Sequence, residues 1–282
     1  MTAKINKLMI LPLIKDRVWF LQPYSILFCF SLDFGCMVRC NDKQKLSIEK
    51  LKKKDDEMVK KISDAFKQNK LLKGITLYGI FYIIAFFWLE GREVEINIVS
   101  SKWDSLIPFC EYFVIPYFMW FVYIAVTLMH FVFFCREKHE SKRFIYSFCG
   151  GMTVFLLVSY IYPNGHNLRP ELVGDSIFIT IMRFLHWVDT PTNILPSMHV
   201  FVTVACTIAL LRDKSLCRYK GFRQGILLCS ILIILSTLFL KQHSVVDVIL
   251  ALLLNFVCYI CFYKIMYEKQ MGTAKFKRKQ FT

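Results

Sequence analysis

The stretch Val245-Val-Asp-Val-Ile-Leu-Ala-Leu-Leu-Leu-Asn-Phe-Val-Cys-Tyr-Ile-Cys-Phe-Tyr263 has a single carboxylate, Asp247, near its start and is apolar from there on except for Asn255. As a helix it covers about 28 Å at 1.5 Å per residue, close to the thickness of a bilayer's hydrocarbon core. Comparable runs precede it at about Leu71 to Leu89, Tyr112 to Cys135, Phe144 to Tyr162, Ile194 to Leu211 and Gln224 to Leu240. The expected fold class is therefore all-α, an integral membrane bundle of six helices, with no internal repeat and no low-complexity segment.

Of the 282 residues 56% are hydrophobic, and the formal net charge is +15. The basic residues sit between apolar runs instead of forming one stripe, which argues against nucleic acid as a partner and for membrane topology. Lys60, Lys61, Lys67, Lys70 and Lys73 precede the first run, Arg136, Lys138, Lys142 and Arg143 follow the second, and Arg212, Lys214, Arg218, Lys220 and Arg223 follow the fourth. On the other side Glu90, Glu93, Glu95, Asp104 and Glu111 outweigh Arg92 and Lys102. Both termini are thus expected in the cytoplasm of a multi-pass cell-membrane protein.

Residues 70–264 read as the membrane domain, and residues 265–282 as a basic cytoplasmic tail able to rest on anionic lipid. Residues 1–69 read as an amino-terminal extension. Its one apolar run, Val18 to Leu32, is too short to span comfortably, and Asn41 to Lys61 is a charged, solvated stretch. Met58 opens a more ordinary start, so the first 57 residues are expected to be a dispensable extension or an artefact of start-site choice. The 11 cysteines show no paired metal-ligand spacing, and Cys258 and Cys261 read as packed or lipid-facing thiols inside an apolar run.

Three polar stretches interrupt this pattern: Tyr162-Pro-Asn-Gly-His-Asn-Leu-Arg169-Pro170, Pro191-Thr-Asn-Ile-Leu-Pro-Ser-Met-His-Val200 and Ser236-Thr-Leu-Phe-Leu-Lys-Gln-His243-Ser-Val-Val-Asp247. Counting crossings puts all three at the same membrane face. Pro196 suits the first position of a helix, Ser197 suits its cap, and the free N–H groups there attract anions. His243 and Asp247 are four apart, a spacing that predicts one helical face, with the carboxylate orienting the imidazole. Read singly, each stretch also fits a capped membrane helix with an interfacial histidine or a satisfied His–Asp pair. Together they supply a nucleophile with its orienting carboxylate, a second histidine as acid, a guanidinium matched to phosphate oxygens and a helix N-terminus. Those are the parts of a phosphoryl-transfer site. No metal and no cofactor is expected, because no His/Cys/Asp cluster has ligand spacing.

These residues resemble the type 2 phosphatidic acid phosphatase superfamily, whose motifs run K-x6-R-P, P-S-G-H and S-R-x5-H-x3-D on a six-helix membrane core. Here they read Tyr162-x6-Arg169-Pro170, Pro196-Ser197-Met198-His199 and Ser236-Thr237-x5-His243-x3-Asp247, over roughly residues 70 to 264. The resemblance implies a metal-independent phosphoric ester hydrolase. In it His243 attacks phosphorus to form a phosphohistidine, Asp247 orients it, His199 protonates the leaving alkoxide, and Arg169 and Ser197 hold the oxygens. The implied substrate is a lipid phosphate: phosphatidate, phosphatidylglycerophosphate or a polyprenyl pyrophosphate.

The departures from the motifs bear on this expectation. Tyr162 and Thr237 stand where the family has a lysine and an arginine, and Met198 replaces a glycine. Lys241 either restores one cation or snorkels at its helix end. Fewer cations suit a less negative phosphodiester, which leaves headgroup transfer open, on the pattern of the similar inositol phosphorylceramide and sphingomyelin synthases. A non-catalytic lipid-binding protein is the third reading. His166 and His186 read as loop or interfacial residues.

Overall fold

Asn69 opens the first helix, its side-chain oxygen accepting from the N–H groups of Leu71 and Leu72 at 3.0 and 3.1 Å. This satisfies donors that a helix start leaves orphaned. The computed structural model describes residues 69 to 265, so the readings of the amino-terminal extension, of Met58 and of the basic tail lie outside the described residues. The chain is mostly helical: α1 (Lys70–Glu90), α2 (Val114–Met129) continued by a π-helical turn (His130–Phe134), α3 (Lys138–Ile161), α4 (Ile177–Val188), α5 (Met198–Arg212), α6 (Lys220–Phe239) and α7 (Val245–Cys258), itself continued by a π-helical stretch (Tyr259–Ile265).

Five of these are long and apolar enough to cross a membrane: Lys70–Glu90, Glu111–Phe134, Lys138–Ile161, Gly221–Phe239 and Val245–Ile265. They suggest a membrane protein. Their outward faces agree, since Leu77, Ile80, Phe81, Ile84 and Phe87 of α1 are all more than half exposed, a density of apolar surface that water would penalise. Helix α5 is shorter than the run that predicts it. Its 15 residues begin at Met198, not at Ile194. Asn193 holds a left-handed φ of 51° and Leu195 precedes Pro196, which disfavours the helical conformation; the buried side chain of Asn164 takes the N–H groups of Ile194 and Leu195 in that loop, at 2.9 Å each.

The core is built on α5, which packs against α2, α3, α6 and α7. Val200, Phe201, Val202, Ala205, Cys206 and Ala209 are all buried, so α5 is apolar around its whole circumference, as a central helix must be. Gly151 lets α3 approach it, since a Cβ there would meet the Phe201 ring at 1.8 Å. Helix α4 lies between the apolar runs read from the sequence and contains His186, read there as a loop or interfacial residue. Ser176 caps it, accepting from Ile179 N–H at 3.1 Å, and Ile179, Met182 and Leu185 bury one stripe. Met182 and Leu185 pack with Val114, Tyr117 and Leu240.

Outside the helices, short backbone pairings gather the polar stretches. The strands β1 (Asn97–Ile98) and β2 (Asn164–Gly165) run parallel, and Gly165 also bridges Thr192. Gly165 is required there, because a Cβ would come within 2.6 Å of the Pro191 carbonyl oxygen.

Candidate active site

The third polar stretch makes the turn between α6 and α7. The Thr237 carbonyl accepts from the N–H groups of both Gln242 and His243, at 3.0 and 3.1 Å. Lys241 takes a left-handed φ of 56°, which costs a residue with a side chain roughly 1–2 kcal/mol. The reversal leaves His243 just ahead of Ser244, the cap of α7. The four-residue spacing predicts that His243 and Asp247 share a helical face, and here the structure differs. His243 precedes the helix, and Asp247 reaches back to it through a capping box. Asp247 Oδ2 accepts from Ser244 N–H at 2.8 Å and lies 3.4 Å from His243 Nδ1. Both residues are buried, and Asp247 Oδ1 has no hydrogen-bond partner.

The second stretch meets this turn directly, since Ser197 N–H donates to the Asp247 carbonyl at 3.2 Å. Ser197 caps α5, accepting from Val200 N–H at 3.4 Å. Pro196 therefore stands before the cap and not at the first helical position. One turn into the site, the His199 ring lies between those of Tyr117 and Trp120, with centroids 4.6 and 4.2 Å away. Trp120 also donates its indole N–H to the His199 carbonyl at 3.1 Å. Held so, His199 Nδ1 faces His243 Nε2 at 3.4 Å. The Asp247 carboxylate beside Nδ1 of His243 favours a proton on that nitrogen electrostatically, although Nδ1 makes no hydrogen bond at the 3.4 Å separation.

Arg169 of the first stretch arrives through Gln242. Its Nη2 donates to Gln242 Oε1 at 2.7 Å and its Nη1 to the His186 carbonyl at 3.3 Å, while Nε is buried without a hydrogen-bond partner. His166 lies in the loop after β2, but not at its surface. It is buried, donates through Nε2 to the Gln242 carbonyl at 2.9 Å and accepts at Nδ1 from Leu168 N–H at 3.1 Å. Burial pushes its pKa down to about 4, with His243 and Arg169 adding to the effect, so it stays neutral near pH 7. His186 lies in α4 and serves the site with its carbonyl. Lys241 neither joins the histidines nor snorkels: its ammonium donates to the carbonyls of Asp104, at 2.5 Å, and Ile107. Tyr162 ends α3 half exposed, and the Thr237 hydroxyl bonds back to the Ile234 carbonyl at 2.8 Å.

Several residues that position the site carry no motif. Asp104, read as a topology charge, is buried and accepts from the Ser244 hydroxyl at 2.7 Å and Val245 N–H at 2.8 Å, placing a carboxylate on the start of α7. Glu90, at the end of α1, accepts from Thr190, Thr192 and Asn193 and so fixes the loop before Pro196. Asp189 accepts from the Tyr117 hydroxyl at 3.1 Å. Burial raises its pKa, while Arg169 and His243 pull it back, which places a carboxylate within electrostatic range of both.

Asn164 is the joint of the whole assembly. Besides holding Ile194 and Leu195, it donates to the Tyr162 carbonyl at 2.7 Å. Replacing it by alanine strands two buried N–H groups, at about 1–3 kcal/mol each. Asn164→Ala is expected to lower the thermal midpoint in detergent by several degrees, with Asn164→Asp, which keeps the accepting oxygen, in between. A midpoint unchanged in Asn164→Ala would contradict this role. Compared with protein-family models, curated proteins and solved structures, the chain matches none.

Proposed function

We propose that this protein is a membrane lipid phosphatase of the type 2 phosphatidic acid phosphatase kind, hydrolysing a lipid phosphate through a phosphohistidine at the outer membrane face. One observation carries the reading: His243 Nε2 and His199 Nδ1 face each other at 3.4 Å, with Asp247 behind His243. In-line displacement at phosphorus needs a nucleophile and a proton donor that face each other across the phosphoryl group, and these two rings face each other. His243 forms the N–P bond as the alkoxide departs, His199 gives that alkoxide its proton, and water then cleaves the N–P bond to release phosphate. The rings must part to admit the phosphoryl group, since reacting atoms approach at about 3–3.5 Å on each side of it. Arg169 and the N–H groups that open α5 and α7 hold the oxygens.

On this reading α5 completes a six-helix bundle with cytoplasmic termini. Its 15 residues reach about 22 Å, and the loop before it continues at membrane depth, where irregular backbone is tolerated once buried in protein. An apolar groove lined by Ile115, Phe118, Val122 and Ile181, on the faces of α2 and α4, suits an acyl chain.

A second reading, transfer of a phospho-headgroup to a lipid alcohol, is favoured by the site's cations. Tyr162 and Thr237 bring none, and Lys241 is committed to backbone carbonyls. Product analysis separates the two. The detergent-purified protein is expected to release inorganic phosphate from at least one of phosphatidate, phosphatidylglycerophosphate and polyprenyl pyrophosphate. If none is released, and a phosphodiester donor with a lipid alcohol yields a new phospholipid, the transferase reading replaces it.

A further inference from the structure

At the far end of α5, about 22 Å from the histidine pair by helix length, three side chains of metal-binding type converge. His130 Nε2 lies 2.8 Å from Asp213 Oδ2. The Cys135 thiol completes a group whose ligand atoms all fall within 4.8 Å of one another. Cys135 and Asp213 are buried and His130 is partly so.

The π-helical turn that ends α2 is what makes the group. In an α-helix, residues five apart point about 140° away from each other. Here Cys135 N–H bonds the His130 carbonyl at 2.8 Å, an i to i+5 closure that brings the two residues onto one side. Asp213 caps α5, and its Oδ1 is held by the Ser215 N–H and hydroxyl at 2.8 and 2.5 Å. That leaves Oδ2 aimed at His130, the fixing of a ligand by outer hydrogen bonds that metal sites show. A His–Asp ion pair alone accounts for two of the three. It leaves unexplained why a buried thiol is turned towards the same carboxylate, with a 3.6 Å contact to the Glu137 carbonyl.

We propose that His130, Cys135 and Asp213 form a zinc-class metal site that ties the end of α2 to the end of α5. Imidazole, thiolate and carboxylate together select a borderline ion: a hard ion such as magnesium prefers oxygen alone, and copper(I) prefers sulfur. Three protein ligands leave a fourth, tetrahedral position to water. Binding displaces the thiol proton to solvent, and the thiolate and carboxylate together neutralise the divalent charge in a buried place. The site is separate from the phosphoryl chemistry proposed above and does not depend on it.

Cobalt(II) tests the proposal. Full-length protein, stripped with a chelator that is then removed, is expected to bind one cobalt per chain with a thiolate-to-metal charge-transfer band and the intense visible bands of a four-coordinate ion. Zinc should displace it. Cys135→Ser and Asp213→Asn should abolish the charge-transfer signature, and Cys261→Ser, at an exposed thiol, should keep it. Absence of the band in the parent, or its survival in Cys135→Ser, overturns the site. X-ray absorption at the zinc edge of the loaded parent needs no variant. One sulfur with nitrogen and oxygen neighbours is expected, and a shell without sulfur, or with several, overturns it as well.

Discussion

Substituting His243 by alanine is expected, on the mechanism proposed above, to abolish an acid-labile phosphoryl label on the protein and to lower phosphate release by at least about 10³-fold, since the displacement would lose its nucleophile. The label is read by quenching the protein with radiolabelled phosphatidate in alkali and testing its loss in acid. The geometry makes the experiment specific, because His243 precedes the cap of α7 and its backbone N–H is held by Thr237. Its removal therefore leaves the helix start intact. Asp247→Asn is the paired variant. An asparagine oxygen still accepts from Ser244 N–H, so the capping box survives while the negative charge beside His243 Nδ1 is lost. That variant is expected to form the label more slowly and not to lose it. A label that persists in His243→Ala would remove the phosphohistidine mechanism. A parent that never labels, yet turns over, would move the chemistry to another residue.

The membrane-length helices are legible in the sequence because one apolar run is one helix, and hydropathy alone marks it. Departures occur where polar side chains overrule that rule. Helix α5 starts at Met198 and not at Ile194 because Asn193 is left-handed and Leu195 precedes a proline, and Asn164, thirty residues earlier, holds the N–H groups of the resulting loop. Helix α4 is no run of spanning length, and its signal is local instead: Ser176 supplies a cap, and Ile179, Met182 and Leu185 a helical period. The site residues His199, His243, Asp247, Ser197 and Arg169 are legible as types at motif spacings, and the structure brings the first four together and joins Arg169 through Gln242. Lys241 was misplaced because proximity in sequence to His243 says nothing of where a four-carbon stem turns, and here it turns to the loop at Asp104 and Ile107. Asp104, Glu90 and Asp189 had no local signal at all. Their partners lie far along the chain, and a lone acidic residue between spans reads as topology. The same reason hides the group at His130, Cys135 and Asp213, whose spacing belongs to a π-helical turn and a distant cap.

His199 should reveal its role through the leaving group. If it protonates the departing oxygen, His199→Asn lowers turnover of an alkyl phosphate such as phosphatidate by about 10²–10⁴-fold, the usual contribution of a positioned acid. An aryl phosphate, whose phenolate departs without help, should lose far less. Asparagine is the better variant than alanine, because the ring sits between Tyr117 and Trp120 and an empty slot there would let both aromatics collapse on the site. Its backbone carbonyl still accepts from Trp120 and from the Thr203 hydroxyl, so the first turn of α5 stays anchored. The ratio of the two substrates is what decides. Equal losses on alkyl and aryl phosphates would make His199 a residue that positions His243 across the 3.4 Å contact, and the proton would then have to come from elsewhere. Burst kinetics on the aryl substrate sharpen the test. With the acid removed, formation of the phosphoenzyme from the aryl ester stays fast while hydrolysis of the N–P bond, which needs a base to activate water, slows. A burst should therefore appear in the variant if the same imidazole serves as acid in the first step and base in the second.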